Sequence, residues 1–387
     1  MSLIPLTEEQ REIQRLAREF ALAEIVPHAA AWDRDAHFDR SVIARLGELG
    51  FLGMMIPERY DGLGLDTWTY LTAIEEIAAA DASIALAMSV HNSLPTQMLL
   101  RWGSEAQKER YLRPMARGEM LGAFALSEAD AGSDASALTA QAQRDGNGWM
   151  LRGTKAWVTN GNTADVVLAM ARTDSPGHRR GARGISAFVL TPDMPGFKVG
   201  KKEDKMGLRA SPTTQIIFDD LRVPADALLG EQGMGFVYAM QSLENGRLGI
   251  AAQAIGIARA ALDHSLQYAQ ERKQFGKKLK EFGAIQFKLA DMALRVVASR
   301  TLLHAVASSK DRGDAVTLYS SMAKLMASET AMWVTTQAIQ IFGGYGYMSE
   351  YPVERLFRDA KVTEIYEGTS EIQRLVIARE LYSAHDH

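Results

Sequence analysis

The stretch WMLRGTKAWV, residues 149–158, decides the fold class, because it is a β-type run within a chain whose two ends have helical patterns. Glycine and proline separate it from further short runs rich in apolar and β-branched residues, which are the usual signals of strands and turns. The further runs are Val166–Arg172, Ile185–Thr191 and Gln215–Phe218. Between two of them, Asp174–Arg183 predicts a solvated loop. We therefore expect a small β domain in the middle of the chain.

Helical patterns lie on both sides of these runs. Thr7 and Gln10 have the spacing of a capping box, and the segment Leu71–Met88 is rich in alanine and aliphatic residues. After Gly235, apolar residues recur at helical spacing through long segments with few helix breakers. Long helices of this kind are typical of a bundle.

The chain is thus predicted to have an α+β fold with three domains. We assign residues 1–120 to an N-terminal all-α domain and residues 121–233 to a middle β domain. Residues 234–387 are assigned to a C-terminal α-helical bundle.

Composition excludes several classes of function. The 387 residues carry a formal net charge of −4 and include no cysteine. Nucleic acid is therefore not expected as a main partner, and thiolate nucleophiles and Cys-ligated metals are excluded. Histidine spacing predicts no metal site, and no apolar run approaches the ~20 residues of a membrane span. The N-terminus resembles neither a signal nor a transit peptide, so we expect a cytoplasmic protein.

Tyr366-Glu-Gly-Thr-Ser-Glu371 carries the main candidate for catalysis, since it places Glu367 beside Gly368 after an apolar stretch. Glycine lets a ligand approach the backbone, and a carboxylate in apolar surroundings gains the raised pKa of a general base. The alternative is an exposed glutamate that pairs with a surface cation. Phosphate-binding loops, serine-nucleophile elbows and the dinucleotide-binding glycine motif are absent.

Five separated motifs together resemble the acyl-CoA dehydrogenase family, in the family's order and over nearly the whole chain. They are Ala125-Leu-Ser-Glu-Ala-Asp-Ala-Gly-Ser-Asp134, Gly153-Thr-Lys-Ala-Trp-Val-Thr-Asn160, Glu271-Arg-Lys-Gln-Phe-Gly276, Gln340-Ile-Phe-Gly-Gly-Tyr-Gly346 and Ile365-Tyr-Glu-Gly-Thr-Ser-Glu-Ile-Gln373. Within the family, they look most like the short-chain, butyryl-type enzymes. The resemblance implies that the middle domain is a β-barrel and the C-terminal domain a four-helix bundle. It also implies FAD as cofactor and an acyl-CoA as substrate.

The resemblance also implies which residues bind. A first group of flavin-binding residues lies in a turn and in the β-type run that follows it, where the indole of Trp157 could stack on the flavin. The group is Phe124, Leu126, Ser127, Gly132, Ser133, Trp157 and Thr159. A second group would reach the FAD of a neighbouring subunit: Arg272, Phe275, Gln340, Gly343 and Gly344. Gln286 matches a further FAD contact. Thr369 and Glu371 complete the cofactor set. The substrate set is Ser133, Glu244, Arg247, Tyr366 and Gly368.

Each of these segments also has a plain structural alternative. The turn at residues 124–133 could simply join two domains, and Trp157 could be a core tryptophan with Thr159 as its strand neighbour. The basic run around Arg272 could be a solvated turn between helices.

Leu243-Glu-Asn-Gly-Arg247 contains a rival position for the base. Some branched-chain and long-chain members carry their catalytic glutamate immediately before this arginine, where this chain has Gly246. Glu244 lies two residues earlier, which turns it about 200° away on a helix. The filled position is therefore Glu367.

The expected reaction is α,β-dehydrogenation of a saturated acyl-CoA to the trans-2-enoyl-CoA. Glu367 would take the α-proton, flavin N5 the β-hydride, and an electron-transfer flavoprotein the electrons. The resemblance also implies that the Glu367 N–H and a ribityl hydroxyl hold the thioester oxygen, and that the assembly is a homotetramer.

Several alternatives remain open at this point. They are an acyl-CoA oxidase that uses O₂, a flavin monooxygenase or nitroalkane oxidase, and a non-catalytic acyl-CoA-binding flavoprotein. Glu367 argues against the second, and we expect short or medium straight acyl chains.

Overall fold

The computed structural model describes residues 3–174 and 181–385, so most of the predicted loop Asp174–Arg183 lies outside the described residues. The helices are α1 (Glu8–Phe20), α2 (Val26–Asp35), α3 (Arg40–Glu48), α4 (Thr67–Ala80), α5 (Ala82–Ser93), α6 (Pro95–Trp102), α7 (Glu105–Gln107), α8 (Arg113–Ala116), α9 (Gly235–Glu271), α10 (Gly283–Asp311), α11 (Thr317–Phe342), α12 (Pro352–Val362) and α13 (Ser370–His385). The strands are β1 (Gly122–Ala125), β2 (Gln141–Asp145), β3 (Gly148–Thr159), β4 (Val166–Arg172), β5 (Ile185–Leu190), β6 (Phe197–Lys202), β7 (Thr213–Val223), β8 (Leu228–Leu229), β9 (Lys273–Gln274) and β10 (Lys277–Lys278).

Side-chain caps set the ends of the N-terminal helices. The Thr7 hydroxyl accepts from the Gln10 N–H at 3.2 Å, and the Gln10 side chain accepts from the Thr7 N–H at 3.0 Å, which confirms the predicted capping box. The alanine-rich segment Leu71–Met88 spans parts of two helices, α4 and α5. Asp81 separates them because its carboxylate accepts from the N–H groups of Ser83 and Ile84 and so begins α5.

The middle of the chain forms one sheet with the strand order β6-β7-β3-β2-β4-β5-β8, and β1 pairs parallel to β4. Strand β4 is buried on both faces: Leu168 packs in one cluster with Met115 and Tyr238, whereas its neighbour Val167 packs in another with Trp149. Burial on both faces explains why β4 reads as an unbroken apolar run. The β domain is confirmed. Strands β6 and β8 end the ladder, so hydrogen bonds among the described strands leave it open rather than closed as a barrel.

Helix α9 is the central element of the C-terminal part, since α4, α5, α10, α11 and α12 all pack against it. Its residues from Asn245 to Ala258 are buried all round, as expected for a helix that is enclosed by others. At Gly256 it crosses α4 so closely that a Cβ would lie 2.6 Å from the Glu75 carbonyl oxygen.

The helices and the sheet follow the predicted α, β, α order. Helices occupy the chain as far as Ala116, and α9 begins at Gly235. The domain boundaries at residues 120 and 233 stay predictions. Over the described residues, no helix is both long enough and apolar enough to cross a bilayer.

Candidate active site

Glu367 lies in a strained turn between α12 and α13. Its φ is +51° and that of Gly368 is +93°, so two successive residues have left-handed backbone. Such a conformation costs a non-glycine residue of order 1 kcal/mol or more and persists only where its surroundings impose it. Here the buried Gln373 amide donates to the carbonyl oxygens of Glu367 and Gly368 at 3.2 and 2.9 Å, and the Lys324 ammonium donates to Gly368 at 2.8 Å.

The turn directs the Glu367 carboxylate against the middle of α9. Both carboxylate oxygens are shielded from solvent and have no hydrogen-bond partner among the described residues, although the residue as a whole is half-buried. A Cβ at Gly246 would lie only 1.8 Å from Oε2. Glycine at 246 is therefore what allows the carboxylate to occupy this space.

Burial and two cations set the ionisation of this carboxylate. Burial raises the pKa of Glu367 to about 7, even though the positive charges of Lys324 and then Arg247 act in the opposite direction. Burial likewise lowers the pKa of Lys324 to about 8. A carboxylate that titrates near neutrality and has free lone pairs is suited to accept a proton from carbon.

Arg247 and Glu244 lie on α9, one on each side of Gly246. Arg247 is buried; its Nη1 donates to the Ser321 hydroxyl at 3.3 Å, whereas its Nε has no partner within the described ranges. The Glu244 carboxylate accepts a short hydrogen bond from the Thr317 hydroxyl at the start of α11. Glu244 is thus engaged with α11, and Glu367 supplies the free carboxylate.

Tyr366 and Gln253 form a second buried contact next to Glu367. The Tyr366 hydroxyl donates a short hydrogen bond to the Gln253 side-chain oxygen, and the Gln253 amide donates to the Ala82 carbonyl at 2.6 Å. Sequence reasoning missed Gln253 and Lys324. For Gln253 the signal was present, because it is the one polar side chain in the otherwise apolar run Ile250–Ala258, whereas Lys324 lies among serines and a glutamate that mask it.

The first group of predicted flavin residues lies on β3 and on the segment from β1 into the β1–β2 connection. The Ser127 carbonyl accepts from the Ala156 N–H at 2.9 Å, and the Leu126 carbonyl accepts from the buried Lys155 ammonium at 3.0 Å. The Lys155 ammonium also binds the buried Glu128 carboxylate at 2.8 Å. These bonds place the turn beside Trp157.

Trp157 is exposed to solvent rather than buried. A register irregularity between Lys155 and Val158 accompanies a φ of +56° at Trp157, and bulges of this kind re-aim side chains. The side chain is 55% exposed, so it is not the core tryptophan that the structural alternative required. Of its companions, Leu126 is buried, Phe124, Ser127 and Thr159 are half-buried, and Gly132 and Ser133 are exposed.

The second group is divided between the end of α11, which carries Gln340, Gly343 and Gly344, and the start of α10 with the connection before it. Arg272 lies 5.2 Å from the centre of the Tyr345 ring and lines a cavity of about 540 Å³ together with Gly343 and Gly344. Phe275, with a φ of +52°, is 92% exposed. Gln286 and Gln340 are exposed, the former bonded to the Lys280 carbonyl. No hydrogen bond, ion pair or ring contact in the described part of the chain joins this group to Trp157.

Thr369 and Glu371 stand at the start of α13. The Thr369 hydroxyl accepts from the Ile372 N–H at 3.3 Å, and the exposed Glu371 has its pKa lowered, chiefly by a backbone hydrogen bond.

The residues present fit an FAD molecule. Trp157 offers an exposed aromatic face, and Arg272 makes no ion pair within the described ranges, which leaves its guanidinium free for phosphate. Among the described residues, no group of three or more His, Asp or Glu side chains is placed to hold a metal ion.

Comparison with known proteins defines the class. The acyl-CoA dehydrogenase N-terminal, middle and C-terminal domain models match residues 7–119, 123–221 and 233–382. The chain therefore belongs to the acyl-CoA dehydrogenase family, a family of flavin-dependent oxidoreductases, and the resemblance noted in the sequence is confirmed.

Particular relatives narrow the comparison. The chain is 48% identical over 382 residues to the mitochondrial short-chain specific acyl-CoA dehydrogenase of Mus musculus, covering 99% of this chain and 92% of the relative. It also resembles the structure of butyryl-CoA dehydrogenase from Megasphaera elsdenii, with a TM-score of 0.96, 44% identity and coverage of 98% and 99% of the two chains. A chain in a structure of the electron-transferring flavoprotein of Acidaminococcus fermentans matches with a TM-score of 0.96, 45% identity and the same coverage.

Proposed function

We propose that the chain is an FAD-dependent acyl-CoA dehydrogenase that converts a saturated acyl-CoA to the trans-2-enoyl-CoA, with Glu367 as the base. One observation carries the proposal: the Glu367 carboxylate is buried, lacks a partner among the described residues and is directed at the gap left by Gly246. With a pKa of about 7, it can be ionised at neutral pH and still hold an abstracted proton.

The chain's own groups then handle the proton and the thioester. Glu367 removes the α-proton, and its carboxyl group keeps that proton while hydride leaves the β-carbon. The backbone N–H of Glu367 donates to no acceptor among the described residues and is assigned to the thioester oxygen, where it favours loss of the α-proton. FAD, when bound, supplies the hydride acceptor.

The cofactor and partner assignments follow from the same residues. We assign the flavin ring to Trp157 and the turn that contains Ser127, and the pyrophosphate end of a neighbouring subunit's FAD to Arg272. An electron-transfer flavoprotein is the proposed acceptor, in line with the structural match to a chain solved with such a protein. The homotetrameric assembly and the cytoplasmic location stay predictions.

A short acyl chain is the proposed substrate. Gly246, Gly249 and Gln253 lie on one face of α9, and a Cβ at Gly249 would lie 2.3 Å from the Ser89 hydroxyl oxygen. The Glu367 carboxylate and the Ser89 hydroxyl occupy the spaces beside these two glycines, and we assign the end of the acyl chain to the buried Gln253, which accepts from the Tyr366 hydroxyl. The short-chain and butyryl-CoA names of the relatives support this assignment.

Anaerobic titration of the purified protein with butyryl-, octanoyl- and palmitoyl-CoA tests the proposal. We expect bound FAD whose visible absorbance bleaches with butyryl-CoA, and enoyl-CoA as the product. A protein that lacks flavin, or whose flavin none of the three thioesters reduces, contradicts the proposed function. Rapid peroxide formation in air without a partner protein identifies an oxidase instead.

A further inference from the structure

Lys324 is a buried cation that the mechanism above does not use. It lies in α11 within an alanine-rich segment, and no part of it is exposed to solvent. Burial of an ammonium group is unfavourable unless it is compensated, so a lysine at such a position requires a reason. Among the described residues, its ammonium makes one hydrogen bond, the 2.8 Å contact to the Gly368 carbonyl.

Four charged groups face Lys324 from the elements around it. Glu367 and Glu364 face it from the α12–α13 connection, Glu371 from α13 and Arg247 from α9. Among the described residues, no carboxylate lies within ion-pair distance of its ammonium. Lys324 therefore forms no direct ion pair, and its positive charge can act on the Glu367 carboxylate.

Lys324 also takes part in holding the turn. Glu367 and Gly368 both have positive φ, and only Lys324 and Gln373 donate side-chain hydrogen bonds to their carbonyl groups within the described ranges. Both donate to the Gly368 carbonyl, but Gln373 is neutral and Lys324 is charged. Substitutions of the two residues can therefore distinguish loss of a hydrogen bond to the turn from loss of a positive charge.

We propose that Lys324 is a positioning residue for the proposed dehydrogenation: it fixes the Glu367–Gly368 turn and supplies the buried positive charge that favours the carboxylate form of Glu367. The inference rests on the proposed function. Its electrostatic part agrees with the order of influences on Glu367, where Lys324 outweighs Arg247 in lowering the pKa against the effect of burial.

The test compares Lys324→Met, Lys324→Gln and Lys324→Arg with Gln373→Leu. Flavin reduction by butyryl-CoA is followed by anaerobic stopped flow from about pH 5.5 to 9. The acid limb of the pH profile of kcat/KM, where the rate falls as the base becomes protonated, is fitted to an apparent pKa. Without the charge, Lys324→Met and Lys324→Gln should move the acid limb upward by about one pH unit, roughly a tenfold loss below it. Lys324→Arg should keep the wild-type limb. Gln373→Leu should lower the rate at every pH and leave the limb in place.

An independent readout needs no turnover. The Glu367 carboxyl band, assigned by its absence in Glu367→Gln, is titrated by infrared difference spectroscopy in the holoenzyme. Its midpoint should rise in Lys324→Gln and stay in Gln373→Leu. If Lys324→Met loses FAD or unfolds, Lys324→Gln decides, since its amide can still donate to Gly368.

Wild-type midpoints in the neutral variants would overturn the proposal and leave Lys324 a structural residue. So would an upward shift in Gln373→Leu as large as that in Lys324→Gln. Failure of the proposed function looks different, because the wild-type flavin would then not be reduced by any acyl-CoA.

Discussion

The Glu367 carboxylate fills the space that a side chain at Gly246 would need, since a Cβ there would lie 1.8 Å from Oε2. The two alternative base positions, 246 on α9 and 367 after α12, thus compete for one volume. A chain can place a carboxylate there from either side, and this chain does so from the α12–α13 connection.

Gly246→Ala should therefore displace the Glu367 carboxylate and lower the rate of flavin reduction by about 10² or more, because a base displaced by about 1 Å loses its reacting geometry. FAD content should be unchanged. Single-turnover reduction by butyryl-CoA measures the effect. In a second comparison, Gly246→Glu/Glu367→Gly should react faster than Glu367→Gly alone. Equal rates in these two proteins would show that the space is not shared.

Glu367→Gln should retain FAD and bind butyryl-CoA, but lose at least about 10² in kcat, since an amide cannot accept the α-proton. Steady-state kinetics with an artificial electron acceptor measure this. Glu329→Gln is the matched control, because Glu329 forms an exposed ion pair with Arg374. Near-normal flavin reduction in Glu367→Gln would refute the assignment of the base.

The stability of the holoenzyme should also report the pKa of Glu367. Its folded pKa of about 7 lies above the ordinary 4.5, so the folded state holds the proton more tightly and loses relative stability as pH rises from 4.5 through 7. A glutamine mimics the protonated acid. Glu367→Gln should therefore be more stable than wild type above pH 7, by up to about 3 kcal/mol, with a smaller difference near pH 5. Thermal unfolding at both pH values checks this; a difference independent of pH contradicts it.

Gln253→Ala should shift the chain-length preference upward. Removing the side chain that bonds to Tyr366 opens the end of the proposed acyl pocket, and each added methylene gains about 1 to 3 kcal/mol in such a site. The ratio of kcat/KM for octanoyl-CoA to that for butyryl-CoA should rise by about tenfold or more. Gln267→Ala, on the exposed side of α9, should leave the ratio unchanged. An unaltered ratio in Gln253→Ala would place the end of the pocket elsewhere.

Trp157→Ala should weaken FAD binding by about tenfold or more, since a stacked indole contributes more than 1 kcal/mol. Stability of the FAD-free protein should change little, because the side chain is 55% exposed. Fluorescence titration of the FAD-free protein measures the affinity. Trp157→Phe keeps an aromatic face and should retain most of it. Unchanged affinity in Trp157→Ala would remove this residue from the flavin site.

Local patterns in the sequence were sufficient for the class of fold and for the main candidate residue. The capping box at Thr7 and the β-type run of β4 depend on residues close in the chain, so they could be predicted correctly. The composition of Leu71–Met88 correctly predicted helix, but the break between α4 and α5 depends on one N-capping residue, Asp81, rather than on the apolar pattern.

The sequence by itself determined the α, β, α order, the family and the candidacy of Glu367, because periodicity and motif order are written in neighbouring residues. Only the tertiary structure decided where the carboxylate points, that Lys324 and Gln373 hold its turn, and that Gln253 reaches Tyr366. Most of these contacts join residues far apart in the chain, and the positive φ of Glu367 is imposed by them. No local pattern encodes such a conformation, since it is unfavourable until distant elements have packed around it.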